Sequence, residues 1–393
     1  MTQSGEGGQP IPIWRDERFW RIAIQFVVLA VVVVAIAFLV NNLTSSLQQQ
    51  GRQFNFGFLG AQSNFNVGES VISYSPESPY YRALLVGLLN TLRLILVGFV
   101  LTTIVGVVAG IASFSDNWLV RKLSQIYVEL VRNTPLLLQL FLWYFAVIFG
   151  LASTDDRPNR YLNFIFVTKR QGGGFFIPFP PNTLNSWLLL VCVILTLAIA
   201  YVVWSWRTRL MEEQGASGNP QLYAVIALLI LTVVLMVSMG WRVPNPNEEG
   251  GLDGGLRLSL EYAAVLGGLV FYTGAFIAEI VRAGIQSVSK GQWEAARALG
   301  LRSGPMMQLV VFPQALRVII PSLNSQYMNL AKNSSLALAI GYPDIYSTAS
   351  TTFNQTGRPV EVFLIIAGTY LLMNLIISVL MNQLNQSVQL KER

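Results

Sequence analysis

Three charged side chains stand inside long apolar runs, where an unpaired charge is expensive: Arg93, Glu279 and Lys332. On insertion scales a cation at the centre of a bilayer-spanning helix costs at least ~2.5 kcal/mol, so each must face water, a partner or a substrate. Arg93 lies ten residues into its run. At the helical rise that is on the order of 15 Å deep, close to the midplane where transporter sites tend to lie. Ser322, Gln326, Asn329 and Asn333 recur at four- and three-residue steps, with Lys332 alongside, which is one helix face. Two readings of this stripe compete. Either it lines a hydrated path and binds a carboxylate through Lys332 and the amides, or it is a seam of hydrogen bonds to another helix. A cation is poor glue without a named anion, which favours the path. Glu279 is the obvious anion, and an ion pair with Arg282, three residues on, is its plainer use.

Composition removes most other chemistry. Hydrophobic residues make up 53% and charged ones only 12%, about half the charge of an ordinary soluble domain. There is no histidine, the commonest general base and metal ligand. The single cysteine, Cys192, sits in an apolar run, so no intramolecular disulfide forms. No phosphate-cradling Gly-x-x-x-x-Gly-Lys-Ser/Thr loop occurs, so any ATP that drives this protein binds another chain. The net charge of +6 is spread over loops. It reads as membrane orientation rather than as a nucleic-acid surface. The expectation is a transport subunit and no enzyme.

The elements that must position these residues are membrane spans. Eight apolar runs fit, at 20–40, 83–113, 133–152, 186–206, 222–240, 258–282, 318–340 and 361–385. The fold class is therefore all-α and polytopic. Residues 1–19 form an N-terminal tail and 20–40 an uncleaved anchor. Residues 186–240 form a hairpin, and 41–82 and 153–185 are long loops. Counting Lys and Arg in alternate loops gives 15 on the side of the N-terminus and 9 on the other. That bias places both termini in the cytoplasm. Gly172 to Gly174 and Pro178 to Pro181 rule out a simple helix in the loop 153–185. The aromatics Phe54, Phe56, Phe58 and Phe65 argue that the loop 41–82 packs into an extracytoplasmic cap. Gly106 and Gly110 suit a tight helix crossing. Asn133 or Thr134 caps a helix whose first turn holds Pro135.

One short polar helix interrupts this pattern, across Glu294-Ala295-Ala296-Arg297-Ala298-Leu299-Gly300. Glu294 in the first turn and Arg297 near the other end suit the helix dipole. Gly300 fits the left-handed C-terminal position, and Pro305 stops continuation. Ala295, Ala296 and Ala298 leave a face that a partner surface can approach closely.

These residues, followed by Val310-Val311-Phe312-Pro313, resemble the EAA loop of ABC importer permeases. Val310 and Phe312 are mild departures from the family pattern. Tyr272 to Ile285, Arg132-Asn133-Thr134-Pro135-Leu136-Leu137 and Lys332-Asn333-Ser334-Ser335-Leu336-Ala337 resemble the permeases for polar and general L-amino acids. The resemblance implies a five-helix core of the type I importer kind, in 83–152 and 258–390, with the spans at 20–40 and 186–240 as additions. It implies that the helix at 291–304 couples to a separate ATPase through Glu294, Ala295, Ala296 and Gly300. Glu279 would flank the pathway, where it could hold a substrate's ammonium, with Arg93, Gln326, Asn329, Lys332, Asn333 and Ser334 as further pathway residues. The implied partners are a second, related permease subunit, two ATP-binding subunits, an extracytoplasmic binding protein and the lipid of the bacterial inner membrane. This chain itself would hold no cofactor or metal, since ATP and Mg belong to the ATPase. Arg93 and Lys332 would repel a cationic side chain, which points to neutral and acidic amino acids. The alternative is a secondary transporter driven by an ion gradient. That reading predicts a relay of intramembrane carboxylates, of which only Glu279 is available.

Overall fold

The computed structural model describes residues 17–49, 53–151, 158–161, 164–169, 173–181, 183–214, 217–246 and 252–388. Most of the expected N-terminal tail, and the loop residues Asp155, Asp156, Arg157, Arg170 and Gly172, lie outside the described residues.

The fold is helical. Seven helices among the described residues are long and apolar enough to cross a membrane, and a bent pair makes eight if it counts as one span. Two compact units divide the chain at Ala61. The first holds helix α1 (Glu17–Gln49), with an edge-on pair of Phe54 and Phe56 beyond it. The second holds everything else.

Its centre is the pairing of α2 (Tyr80–Ala112) with α7 (Leu260–Gln286). The two run in the same direction. Arg93 stands over the ring of Tyr262, Gly106 faces Gly274 and Ile277, and Gly110 faces Val281. Bare glycine surfaces allow this approach. Around the pair lie α3 (Trp118–Arg132) and α4 (Leu136–Phe141), the latter continued by a π-helical stretch Leu142–Ile148. Then come α5 (Leu184–Gln214) and α6 (Asn219–Ser238), a hairpin in which Thr196 and Thr232 share a hydrogen bond of 3.0 Å. After α7 follow the short α8 (Lys290–Ala298), α9 (Phe312–Asn333), α10 (Ile345–Thr356) and α11 (Pro359–Val388).

Several local expectations need correction. The stretch before Arg132 is not a loop. It is the amphipathic α3, which meets α4 at 111°. Asn133 and Thr134 do not cap α4. Asn133 Nδ2 donates to the Glu129 carbonyl and Thr134 Oγ1 to the Leu130 carbonyl, so both finish α3. Pro135 is the residue before α4 and not in its first turn. Pro305 does not end a helix; it sits in the first turn of Ser303–Met306. The loop between the second core span and the hairpin contains strands. β1 (Asn159–Tyr161), β2 (Ile165–Thr168) and β3 (Gly174–Ile177) pair antiparallel in order, and β6 (Leu256–Leu258) completes the sheet beside β3. Two short strands, β4 (Asn245–Pro246) and β5 (Leu252–Asp253), pair separately. The sheet and α8 mark opposite ends of the bundle.

Candidate functional site

The Lys332 stripe lies on α9. Leu330 packs on Gly98 of α2, and Tyr327 shares a hydrogen bond of 2.6 Å with Thr103. The opposite face carries the polar residues: Asn329 and Lys332 are exposed, while Ser322, Gln326 and Asn333 are half-buried. Lys332 makes no ion pair among the described residues. An unpaired ammonium on a membrane-spanning helix is the costly arrangement that needs a ligand, a partner or water. Ser334 is not part of this face. It is fully buried and its hydroxyl donates to the Ala331 carbonyl.

The place of Arg93 in the bundle follows from how α2 lies against its neighbours. α2 has 33 residues, roughly 50 Å of helix against a hydrocarbon core of about 30 Å. Its first turns project past the start of α7 and pack on α10, where Gly87 faces Thr348 and Asp344. Arg93 therefore sits level with the N-terminus of α7. Its guanidinium lies 4.2 Å above the Tyr262 ring and 2.5 Å from Glu69. The Ser259 hydroxyl also donates to Glu69 and, in turn, caps α7 by accepting from the Tyr262 N–H. Asn90 Nδ2 donates to the backbone carbonyls of Glu69 and Pro343. Arg93 is thus neutralised by a carboxylate from the segment before α2, and ties that segment to two helices. Glu69 is a residue that sequence reasoning missed. Its only signal was that a buried cation requires an anion somewhere.

Glu279 accepts two hydrogen bonds from Arg282, at 3.0 and 2.5 Å, and lies 3.7 Å from Arg132 of α3. The ion pair at three-residue spacing is therefore present. The structure does not bring Glu279 to the Lys332 stripe, since its neighbours are on α2 and α3.

The short helix α8 closes on a glycine turn. Gly300 has φ +72°. Its N–H donates to the Arg297 carbonyl, and the Leu301 N–H reaches back to Ala296. This is a Schellman closure. Trp293 and buried Ala296 hold the helix against the core. Glu294 lies mid-helix rather than in the first turn, and it is exposed together with Ala295 and Ala298. Ala296 faces inward, contrary to the expected exposure, because it follows Trp293 by one turn. Leu299 is 80% exposed beside Gly300.

At the sheet end, Asp344 caps α10 by accepting from the Ser347 N–H at 2.8 Å and is wholly buried. Burial pushes its carboxyl up to about 7.

Residues 102–390 match the family model described as the binding-protein-dependent transport system inner membrane component. The chain is 37% identical, over 96% of its length and 94% of the relative's, to the general L-amino acid transport system permease protein AapQ of Rhizobium johnstonii. It is 39% identical, over 94% of both chains, to the putative amino-acid ABC transporter permease protein YhdX of Escherichia coli. It is also 39% identical, over 96% of both chains, to the glutamate/glutamine/aspartate/asparagine transport system permease protein BztB of Rhodobacter capsulatus.

Proposed function

From the premise that the chain belongs to the family of binding-protein-dependent transport system inner membrane components, we propose that it is the permease subunit of an ATP-driven amino acid importer. It works with a second permease chain, two ATPase subunits and an extracytoplasmic binding protein in the bacterial inner membrane. Both termini and α8 lie in the cytoplasm, and the sheet end faces the binding protein. ATP and Mg act on the ATPase, which grips α8 through Glu294, Ala295, Ala298, Leu299 and the turn at Gly300. No bond is made or broken in this chain. It stabilises two states differently, and the ATPase selects between them.

The observation that carries the coupling reading is α8 itself. A nine-residue helix is too short to be stable alone in water. Yet it is capped and anchored with its outer face left bare.

Within the membrane, the Lys332 stripe binds the substrate's carboxylate, with Gln326, Asn329 and Asn333 adding hydrogen bonds. Arg93, held by Glu69, keeps the outer mouth together without touching substrate. The cation at Lys332 disfavours basic side chains. That agrees with the acidic and amide substrates in the name of BztB. Lys332→Met tests the site, because it removes the charge while keeping an unbranched side chain. A charge-assisted hydrogen bond contributes about 1.5–3 kcal/mol, so uptake measured as kcat/KM should fall roughly tenfold or more. An unchanged KM and kcat for glutamate and glutamine would remove Lys332 from the path and turn the stripe into a helix seam.

A further inference from the structure

A second polar site lies on the other side of α7 from the Lys332 helix. A cavity of about 560 Å3 opens between the last turn of α2, the polar face of α3 and α7. Its charged lining is Glu129, Arg132, Glu279 and Arg282. Glu279 and Arg282 neutralise one another through two hydrogen bonds. Arg132 touches the same carboxylate only loosely, at 3.7 Å, and is 40% exposed, with its guanidinium 5.4 Å from the Phe276 ring. Glu129 makes no ion pair among the described residues, although it precedes Arg132 by three residues and lines the same cavity. The cavity thus offers an underused cation and an unused anion that do not pair with each other. A ligand that satisfies both must carry a negative and a positive group.

The surroundings identify its source. The opposite face of α3 exposes Trp118, Leu119, Leu123, Ile126 and Leu130. In a membrane-spanning chain, an amphipathic helix with such a face lies in the plane of the interface, apolar side toward the acyl chains. The cavity is lined by Gly110 and Ser113, at the very end of α2, so it is level with the headgroups of the leaflet on the α8 side.

We propose that this cavity binds the headgroup of a phospholipid bearing a phosphate and a primary ammonium, as in phosphatidylethanolamine. Arg132 and the Asn133 amide face the phosphate, Glu129 accepts from the ammonium, and the acyl chains run along the apolar face of α3. Arg282 has N–H groups left over after its pair with Glu279 and adds to the phosphate side. The proposal rests on the membrane placement of the helices and not on the energy source or direction of transport.

Native mass spectrometry of the purified chain with its co-purifying partners, titrated with phosphatidylethanolamine, phosphatidylcholine or phosphatidylglycerol, tests it. Phosphatidylcholine has no N–H to give Glu129, and phosphatidylglycerol has no cation. Wild type should retain phosphatidylethanolamine about tenfold better than either, the equivalent of one charge-assisted hydrogen bond. Glu129→Gln, which is isosteric and leaves α3 intact, should erase the preference over phosphatidylcholine. Arg132→Ala should lose all three lipids, whereas Lys122→Ala, an exposed cation of the same helix outside the cavity, should change nothing. Equal retention of the three lipids by wild type and Glu129→Gln would overturn the proposal. So would displacement of phosphatidylethanolamine by free amino acids, which would make the cavity a solute site.

Discussion

Glu294→Lys should reduce ATP-driven uptake to the background of protein-free vesicles while leaving the chain folded in the membrane. The side chain is exposed and makes no ion pair among the described residues, so the fold loses nothing when it is reversed. What holds α8 is elsewhere: Trp293 and Ala296 on its inner side and the Gly300 turn at its end. The reversal acts on whatever faces the helix. Like charges set against each other across an interface cost several kcal/mol, enough to lower occupancy of the docked state more than a hundredfold. Glu294→Gln, which loses only the attraction, should keep a measurable fraction of the activity. Thermal unfolding in detergent separates the two explanations. An unchanged melting curve with lost uptake and lost ATPase co-purification places the defect at the docking face. A lowered melting temperature would mean that Glu294 supports the fold.

Gly106→Leu should have the largest effect on the fold. A Cβ at this position would stand 2.4 Å from Ile277 Cγ2 and 3.0 Å from the Gly274 carbonyl, and the latter is backbone that cannot swing away. Gly274 is equally confined, since a Cβ there would meet the Tyr127 hydroxyl and Val105 at 2.9 Å. α2 and α7 are thus locked at a separation that no larger residue allows, and overpacking of this kind costs about 1–3 kcal/mol or more. The yield of folded chain and its melting temperature should both fall. Gly368→Leu is the control, because nothing lies within 4 Å of a Cβ built there. A tolerated Gly106→Leu would show that the α2–α7 crossing is looser than its packing.

The sequence made the large features legible because each rests on a strong, local signal. Long apolar runs mark spans, and α8 announces itself by an Ala-rich core ending in Gly300. The stripe around Lys332 follows from helical periodicity alone. What was not legible depends on contacts between distant residues. Glu69 meets Arg93 and Ser259 from 24 and 190 residues away, and nothing in the local pattern of any of them names the others. The position of Arg93 beside the start of α7 was not legible because counting from the start of an apolar run does not show that α2 projects beyond its neighbour. The helix α3 was missed because its apolar positions alternate with Arg121, Lys122, Ser124, Gln125 and Glu129, which lowers its average below that of a span. The β-strands at 159–177 are three or four residues each, too short for an alternation to stand out. The assignment of Glu279 remained open in sequence because Arg282 and a substrate are equally reachable from it; the structure fills the first role.

The central claim, that this permease moves amino acids at the expense of ATP hydrolysed on another chain, is tested most directly by uptake into proteoliposomes. The vesicles carry this chain with its permease and ATPase partners, and the binding protein is supplied outside with labelled glutamate, glutamine and arginine. Uptake should require Mg-ATP on the α8 side together with the binding protein, should favour glutamate and glutamine over arginine, and should be indifferent to proton or sodium gradients. Accumulation driven by an ion gradient without nucleotide would contradict the account and identify a secondary transporter instead.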